Sequence, residues 1–566
     1  MPALVILTTR VAGKSLNKQP LPLNPCFDMK STISTVFVTI TMLFILLSCN
    51  KESASPISST IQIENAEQVY GDVIVLGKKL NNPYSIANMQ AAYDSLIRTK
   101  TIDTYKDERL EPNWLYVRFL PKDSTDVATL QNMDLELFDY PLDFEIEVEG
   151  NYYHDPSIPD DQITWQYTCV RPDFEFPDMN YEVLEQCYIP EEDGETTKSI
   201  TNNDLFELEF AAISRAGLPE KYQPVAQTKA LGFGTKPSGT ILVYNDSKRT
   251  TESLRGAKIR CHYLVNISSC FTDADGNYAI GNRYICNPHY AIVYDSAKGF
   301  TIWGNFAFIA AANHNLGYQN NKGYDKTVTT SETGWKWAVI NNAAYDFYEM
   351  CINEGLLPPP SNLKIWCWPD AYSSSAPMLH HLLGINIPGI SGLLVSFLAQ
   401  GAVAPAATIL STAALLINSA MPDITIGMAI FPSSHYSQHY FEVWHELFHA
   451  SHFAKVGEVV WAPYINYIVL NNGYGDGTSS SIGKGICELG ESWAFANQYY
   501  SSRQTWKSSI WFTNSVASIK QLLDTGVLTR KQIYDCLTVD VKSVSSLKAK
   551  LLERYTTKSK QINAAF

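Results

Sequence analysis

Two histidines four residues apart, with a glutamate directly after the first, carry the chemistry of this chain: His445-Glu446-Leu447-Phe448-His449. Imidazole nitrogens are favoured ligands of zinc. Positions i and i+4 of a helix share a face, so both rings can reach one ion if the segment is helical. It can be helical, because neither Pro nor Gly occurs between Pro432 and Gly457 and apolar residues run through it. Glu446 then projects beside the ion, where it can take a proton from a bound water. A catalytic ion needs a third protein ligand and one position left to water. Residues 486–497 read as a second helix, with Glu488 and Glu491 one turn apart on the same face. By chemistry alone either carboxylate serves. His452 stands two turns from His445 and is expected to line the cleft. The pattern predicts Zn2+ as cofactor and a hydrolytic reaction. His435, His439, Tyr464, Tyr499 and Tyr500 are candidate donors to a developing oxyanion.

The string His445-Glu446-x-x-His449, a spacer and then Gly490-Glu491-Ser492-Trp493-Ala494 resembles the gluzincin metallopeptidases, which include the thermolysin-like enzymes. The resemblance implies Glu491 as third ligand, Glu446 as general base and a peptide or protein substrate. It also implies that a strand at 424–430, just before the metal helix, flanks the cleft and pairs with extended substrate. The metzincin pattern fails, since His452 and Lys455 stand where Gly and a further His or Asp are required. A second resemblance lies at 240–300. Leu254-x-Gly256-Ala257-x-Ile259 and Thr272-Asp273-x-Asp275-Gly276-x-Tyr278 are similar to the carboxypeptidase-regulatory, transthyretin-like β-sandwich. That module implies a spacer or interaction role.

The elements that must position these residues read as an α+β multidomain chain. An α/β N-terminal domain is expected at 61–225, with helices at 87–96 and 123–131 and strands at 114–120 and 144–148. A Pro/Gly-rich linker at 226–239 leads to the sandwich at 240–300. A mainly helical, zincin-like metallopeptidase domain with a small sheet is expected at 301–545, followed by a C-terminal tail at 546–566. Within it, 337–351 reads as a helix and 363–368 as a strand. Residues 457–485 read as a spacer whose second half is a mobile loop. From Leu382 to Pro422 there is no charged residue, which suits buried core helices or an apolar flap over the cleft, with a membrane hairpin as the competing reading.

The 566 residues are 45% hydrophobic and 12% aromatic, as suits a large folded protein, and the net charge of −14 makes nucleic acid an unsuitable partner. Lys30, an uncharged run to Ser48 and Leu46-Leu47-Ser48-Cys49 resemble a bacterial lipoprotein signal with its lipobox. Met29 then stands as the start, with 1–28 upstream of it, 29–48 as signal peptide and Cys49 as the lipid attachment site. A polar tether at 49–60 follows. The expected location is the bacterial cell envelope, at the outer membrane, with membrane contact through the lipid anchor. Besides Cys26 and Cys49, nine cysteines remain, and Cys261, Cys270 and Cys286 among them are close enough in sequence for one local disulfide. The competing reading is a non-catalytic surface binding or adhesion lipoprotein with a structural or vestigial zinc site.

Overall fold

The computed structural model describes residues 73–99, 101, 109–159, 162–191, 202–226, 234–304, 311–368, 374–382, 422–428, 435–471 and 473–566. The expected signal peptide, Cys49, the tether and residues 383–421 of the uncharged stretch lie outside these. Among the described residues the chain is mixed α+β, with eleven α-helices, several sheets and a helical C-terminal region. None of these helices is long and apolar enough to cross a membrane.

The N-terminal part runs β1 (Val75–Lys79), α1 (Ile86–Arg98), β2 (Trp114–Leu120), α2 (Ser124–Asn132), β3 (Phe144–Val148), β4 (Gln166–Val170), β5 (Asn180–Cys187) and α3 (Asn202–Ala216). β2 is the centre of an antiparallel three-stranded sheet, order β4-β2-β5. The Ser85 hydroxyl caps α1 by accepting the Asn88 amide. Met89, Ala92, Tyr93 and Leu96, at helical spacing, bury one stripe of α1 against Leu205, Leu208 and Ala212 of α3.

Next come β6 (Ser238–Asn245), β7 (Thr250–Ser253), β8 (Ala257–Tyr263), β9 (Asn266–Phe271), β10 (Asn277–Ala279), β11 (His289–Ser296), β12 (Phe300–Trp303), β13 (Asn313–Tyr318), β14 (Lys326–Val328), α4 (Gly334–Glu354), β15 (Leu363–Trp368) and β16 (Ile424–Gly427). A seven-stranded sheet has the order β16-β15-β12-β11-β8-β9, with β13 also on β11. Strands β12, β15 and β16 are parallel, so the chain must cross over between them, and α4 lies in the first crossover. Side chains alternate across this sheet. Tyr294 of β11 looks toward α4, with its hydroxyl donating to Gly334 O at 2.9 Å and its ring 5.7 Å from Trp337.

The boundary expected at residue 300 falls inside β12. The strands between 240 and 300 divide between two sheets, and each sheet is completed by strands beyond 300: β14 in one, β13, β15 and β16 in the other. The sheet beside the metal helix and the expected sandwich are therefore continuous. The Asp-rich turn is local, as expected: Asp273 Oδ1 accepts the amides of Asp275 at 2.9 Å and Asn277 at 2.8 Å.

The helical region comprises α5 (Tyr436–Val456), α6 (Glu458–Leu470), α7 (Ile482–Ser501), α8 (Thr513–Asp524), α9 (Arg530–Tyr534), α10 (Val544–Arg554) and α11 (Ser559–Ala565). Three expectations need correction. The spacer contains α6, which starts where Gly457, at φ +71°, turns the chain after α5. The expected tail at 546–566 forms most of α10 and all of α11, and buries Leu547, Leu551 and Ile562. All nine described cysteines are unbonded. Cys261 faces Ser268 and Cys270 faces Ile259 across β8 and β9, which makes Cys261 and Cys270 diagonal neighbours. Diagonal Cβ atoms are ~7 Å apart, beyond the ~4 Å of a disulfide.

Candidate metal centre

α5 is buried along most of its length, packed against α4, α6, α7 and β16, and carries polar as well as apolar residues inward. Trp444 and Phe448 turn to α4, where the Trp444 indole donates to Ala343 O at 2.9 Å and the Phe448 ring lies 4.8 Å from Phe347. His445 and His449, one position on from each, turn to α7. Arg530 braces α7 from behind: its Nε donates to Asn497 Oδ1 at 2.8 Å, its Nη2 to Ser501 Oγ at 2.8 Å, and its Nη1 pairs with Glu354 of α4.

His445 Nε2 and His449 Nε2 lie 3.2 Å apart, and each lies 3.5 Å from Glu491 Oε2. Three ligands held ~2.0–2.1 Å from one tetrahedral zinc are spaced ~3.3–3.4 Å apart, so the triangle of donors has the size zinc requires. All three side chains are buried, and they are the one such cluster of three among the described residues. Glu491 Oε1 accepts the Tyr464 hydroxyl at 2.6 Å, which fixes the carboxylate rotamer and leaves Oε2 aimed at the rings. Neither histidine Nδ1 has a hydrogen-bond partner among the described residues. Ring packing sets their orientation instead: Phe495 stands 4.2 Å from His445, and Tyr464 and Trp461 stand 6.1 and 6.0 Å from His449.

Electrostatics agree with a ligand set. Burial opposes ionisation of Glu491, but His449 and His445 outweigh it and hold the carboxyl well below its usual range. Burial pushes the His449 imidazole below its usual range, against the opposing pull of Glu491. Glu446 is the opposite case. Burial first, then the charges of Glu442 and Glu491, push its carboxyl well above the ordinary value, and its Oε2 has no hydrogen-bond partner among the described residues. Glu442, one turn earlier, is raised chiefly by burial and accepts hydrogen bonds from Ser374 and Gln498.

The other expected residues separate cleanly. Glu488 turns to α8, accepting the Ser515 hydroxyl at 2.7 Å and pairing with Lys484 at 3.2 Å, so it stands outside the cluster. His452 is outside the cluster, edge-on to Trp461 at 5.7 Å, and burial pushes it down to about 3. Of the candidate oxyanion donors, Tyr464 is committed to Glu491. His435 Nδ1 pairs with Asp246 at 3.1 Å, and His439 packs 6.3 Å from Trp335. Tyr499 packs on Trp506 at 5.0 Å and Tyr500 on Arg530 at 5.4 Å, eight and nine residues along α7 from Glu491, or ~12 Å and more.

The strand expected to pair with substrate is not a free edge. β16 is bonded to β15 on one side, and on the other Ser375 exchanges backbone bonds with Thr425 at 3.0 and 2.8 Å. Ser374 Oγ accepts the Gly427 amide at 3.1 Å. Residues 429–430 of that expectation lie outside the described residues. Sequence reasoning missed Trp461, Phe495 and Glu442 as site residues. The spacing of Trp461, Tyr464 and Ile465 was a usable helical signal, masked by Pro463 inside α6. No protein-family model, no curated protein and no solved structure matches this chain.

Proposed function

We propose that the protein is a zinc-dependent metallopeptidase that cleaves peptide or protein substrates, anchored by lipid at Cys49 in the bacterial cell envelope. The observation that carries this reading is the buried triangle of His445, His449 and Glu491 beside an unbonded Glu446 carboxylate oxygen. A structural zinc site is closed by four protein ligands, whereas three ligands and a spare carboxylate suit hydrolysis. This favours an enzyme over a surface protein with a structural site.

His445, His449 and Glu491 would hold the ion, and Tyr464 would hold Glu491. The ion, when bound, supplies Lewis acidity toward water and the scissile carbonyl. Glu446 takes the proton of the attacking water on Oε2 and returns it to the leaving amine. Apolar walls from Phe495 and Trp461 exclude bulk water from the ligands.

The test uses Cys49→Ser protein, which should no longer partition into detergent. Zinc content is measured by elemental analysis, and cleavage of a mixed peptide library is followed with and without chelator. We expect one zinc per chain and chelator-sensitive cleavage. Glu446→Gln should keep the metal and lose ~100-fold or more in rate. Absence of metal after reconstitution, or undiminished cleavage by Glu446→Gln, would overturn the reading.

A further inference from the structure

The seven-stranded sheet has a polar face on the side away from α4. Ile259, Ile292 and Ile365 are buried toward the helix side, while their neighbours Lys258, Arg260, Val293, Asp295 and Lys364 take the other face by alternation. The N-terminal part lies over this face, and a cavity of ≈ 190 Å³ remains between them.

The charges around the cavity balance in number but not in pairing. Lys258 is neutralised by Glu136 at 3.2 Å and Asp295 at 3.0 Å. Lys364 is 4% exposed, yet its ammonium has neither a hydrogen bond nor an ion pair among the described residues, only the Trp303 ring at 5.4 Å. Arg260, 6% exposed, donates to Leu137 O at 2.8 Å and lies 4.0 Å over the Phe138 ring, with no partner for its Nε. Asp295 and Asp423 lie near enough to act on Lys364 but form no ion pair with it, and burial outweighs both, holding the ammonium below its usual range. An acceptor waits close by. Asn313 Oδ1 is buried and has no hydrogen-bond partner among the described residues, on the strand beside Val293, while Thr301, next to Asp295, is the cross-strand neighbour of Lys364. Three cations against Glu136, Asp139 and Asp295 leave no net charge to attract a polyanion.

We propose that this cavity binds a small monocarboxylic acid that also carries hydroxyl or ammonium groups, of the sugar-acid or amino-acid class. Its carboxylate takes Lys364, and its donors take Asn313 and Asp295. The site is separate from the metal centre, which lies on the helical side of the sheet.

Titration calorimetry of the full chain with D-glucuronate, D-glucose and inorganic phosphate tests this. Glucuronate should bind at least ~10-fold more tightly than either of the others, and chelator should not change it. Lys364→Met should weaken glucuronate binding ~10-fold or more while keeping or raising the unfolding temperature without ligand, since it removes a charge whose burial outweighs the pull of Asp295 and Asp423. Should that variant fail to fold, Asn313→Asp serves: an anion beside Lys364 should abolish acid binding and leave the circular dichroism unchanged. Equal binding of glucose or phosphate, or unaltered glucuronate binding in a folded variant, overturns the proposal.

Discussion

Glu491 is one carboxylate with two tasks divided between its oxygens. Oε2 faces the imidazoles, and Oε1 takes the Tyr464 hydroxyl at 2.6 Å. Neither histidine has a hydrogen bond to its Nδ1 among the described residues, so Tyr464 is the main polar group that orients any ligand. Tyr464→Phe should therefore weaken zinc binding ~10–100-fold with little change in fold, measured by competition with a chromogenic chelator. Unchanged affinity would mean that ring packing alone sets the site. At this scale the sequence was legible for His445, Glu446 and His449, because a four-residue spacing on a helix is local geometry. The choice between Glu488 and Glu491 was not local. It depends on which face of α7 meets α5, and the structure turns Glu488 toward Ser515 instead.

Among the elements, the packing of α1 on α3 hides a titrating group. Glu209 of α3 accepts the Tyr84 hydroxyl at 2.6 Å, and burial pushes its carboxyl up to about 7 despite that bond. Its unfolded value is ~4.3, so the folded state binds the proton more tightly. The stability this adds is complete below ~pH 4 and disappears as pH rises through about 7. Glu209→Gln keeps an acceptor for Tyr84 without a charge. Urea midpoints of that variant should fall less between pH 5 and pH 8 than those of the parent, and should exceed the parent's at pH 8. Parallel midpoints in the two proteins would rule out Glu209 as the source. Several elements were readable in advance: β2, β3 and β15 coincide with their expected strands, since alternation over five to seven residues is a strong signal. α6 was hidden by Pro463, and β16 was misjudged because nothing in its own residues reveals that Ser375 bonds its outer edge.

Across the whole molecule, one buried core runs from Ile74 to Ile562. The N-terminal part is tied to the large sheet by Tyr140 and His262 at 3.0 Å, Glu136 and Lys258 at 3.2 Å, and Glu149 and His289 at 2.8 Å. Tyr263 also donates to Tyr222 O at 2.7 Å. Such an interface does not depend on the covalent connection at 227–233. A protease site inserted there and cut should leave both pieces eluting together on size exclusion and melting in a single transition. Separate elution would show that the two parts are independent domains.

Taken alone, the amino-acid order determined a helix bearing two imidazoles and a carboxylate, a net charge of −14, and several strands and helices whose periodicity is local. The tertiary structure decided the remainder. It brought Glu491 rather than Glu488 to the two imidazoles, hydrogen-bonded Tyr464 to it, completed the sheets of the expected sandwich with strands beyond residue 300, and put a lysine with no ion pair among the described residues in a cavity under the N-terminal part. Each of these depends on contacts between residues tens to hundreds of positions apart, and side-chain spacing along the chain carries no record of them.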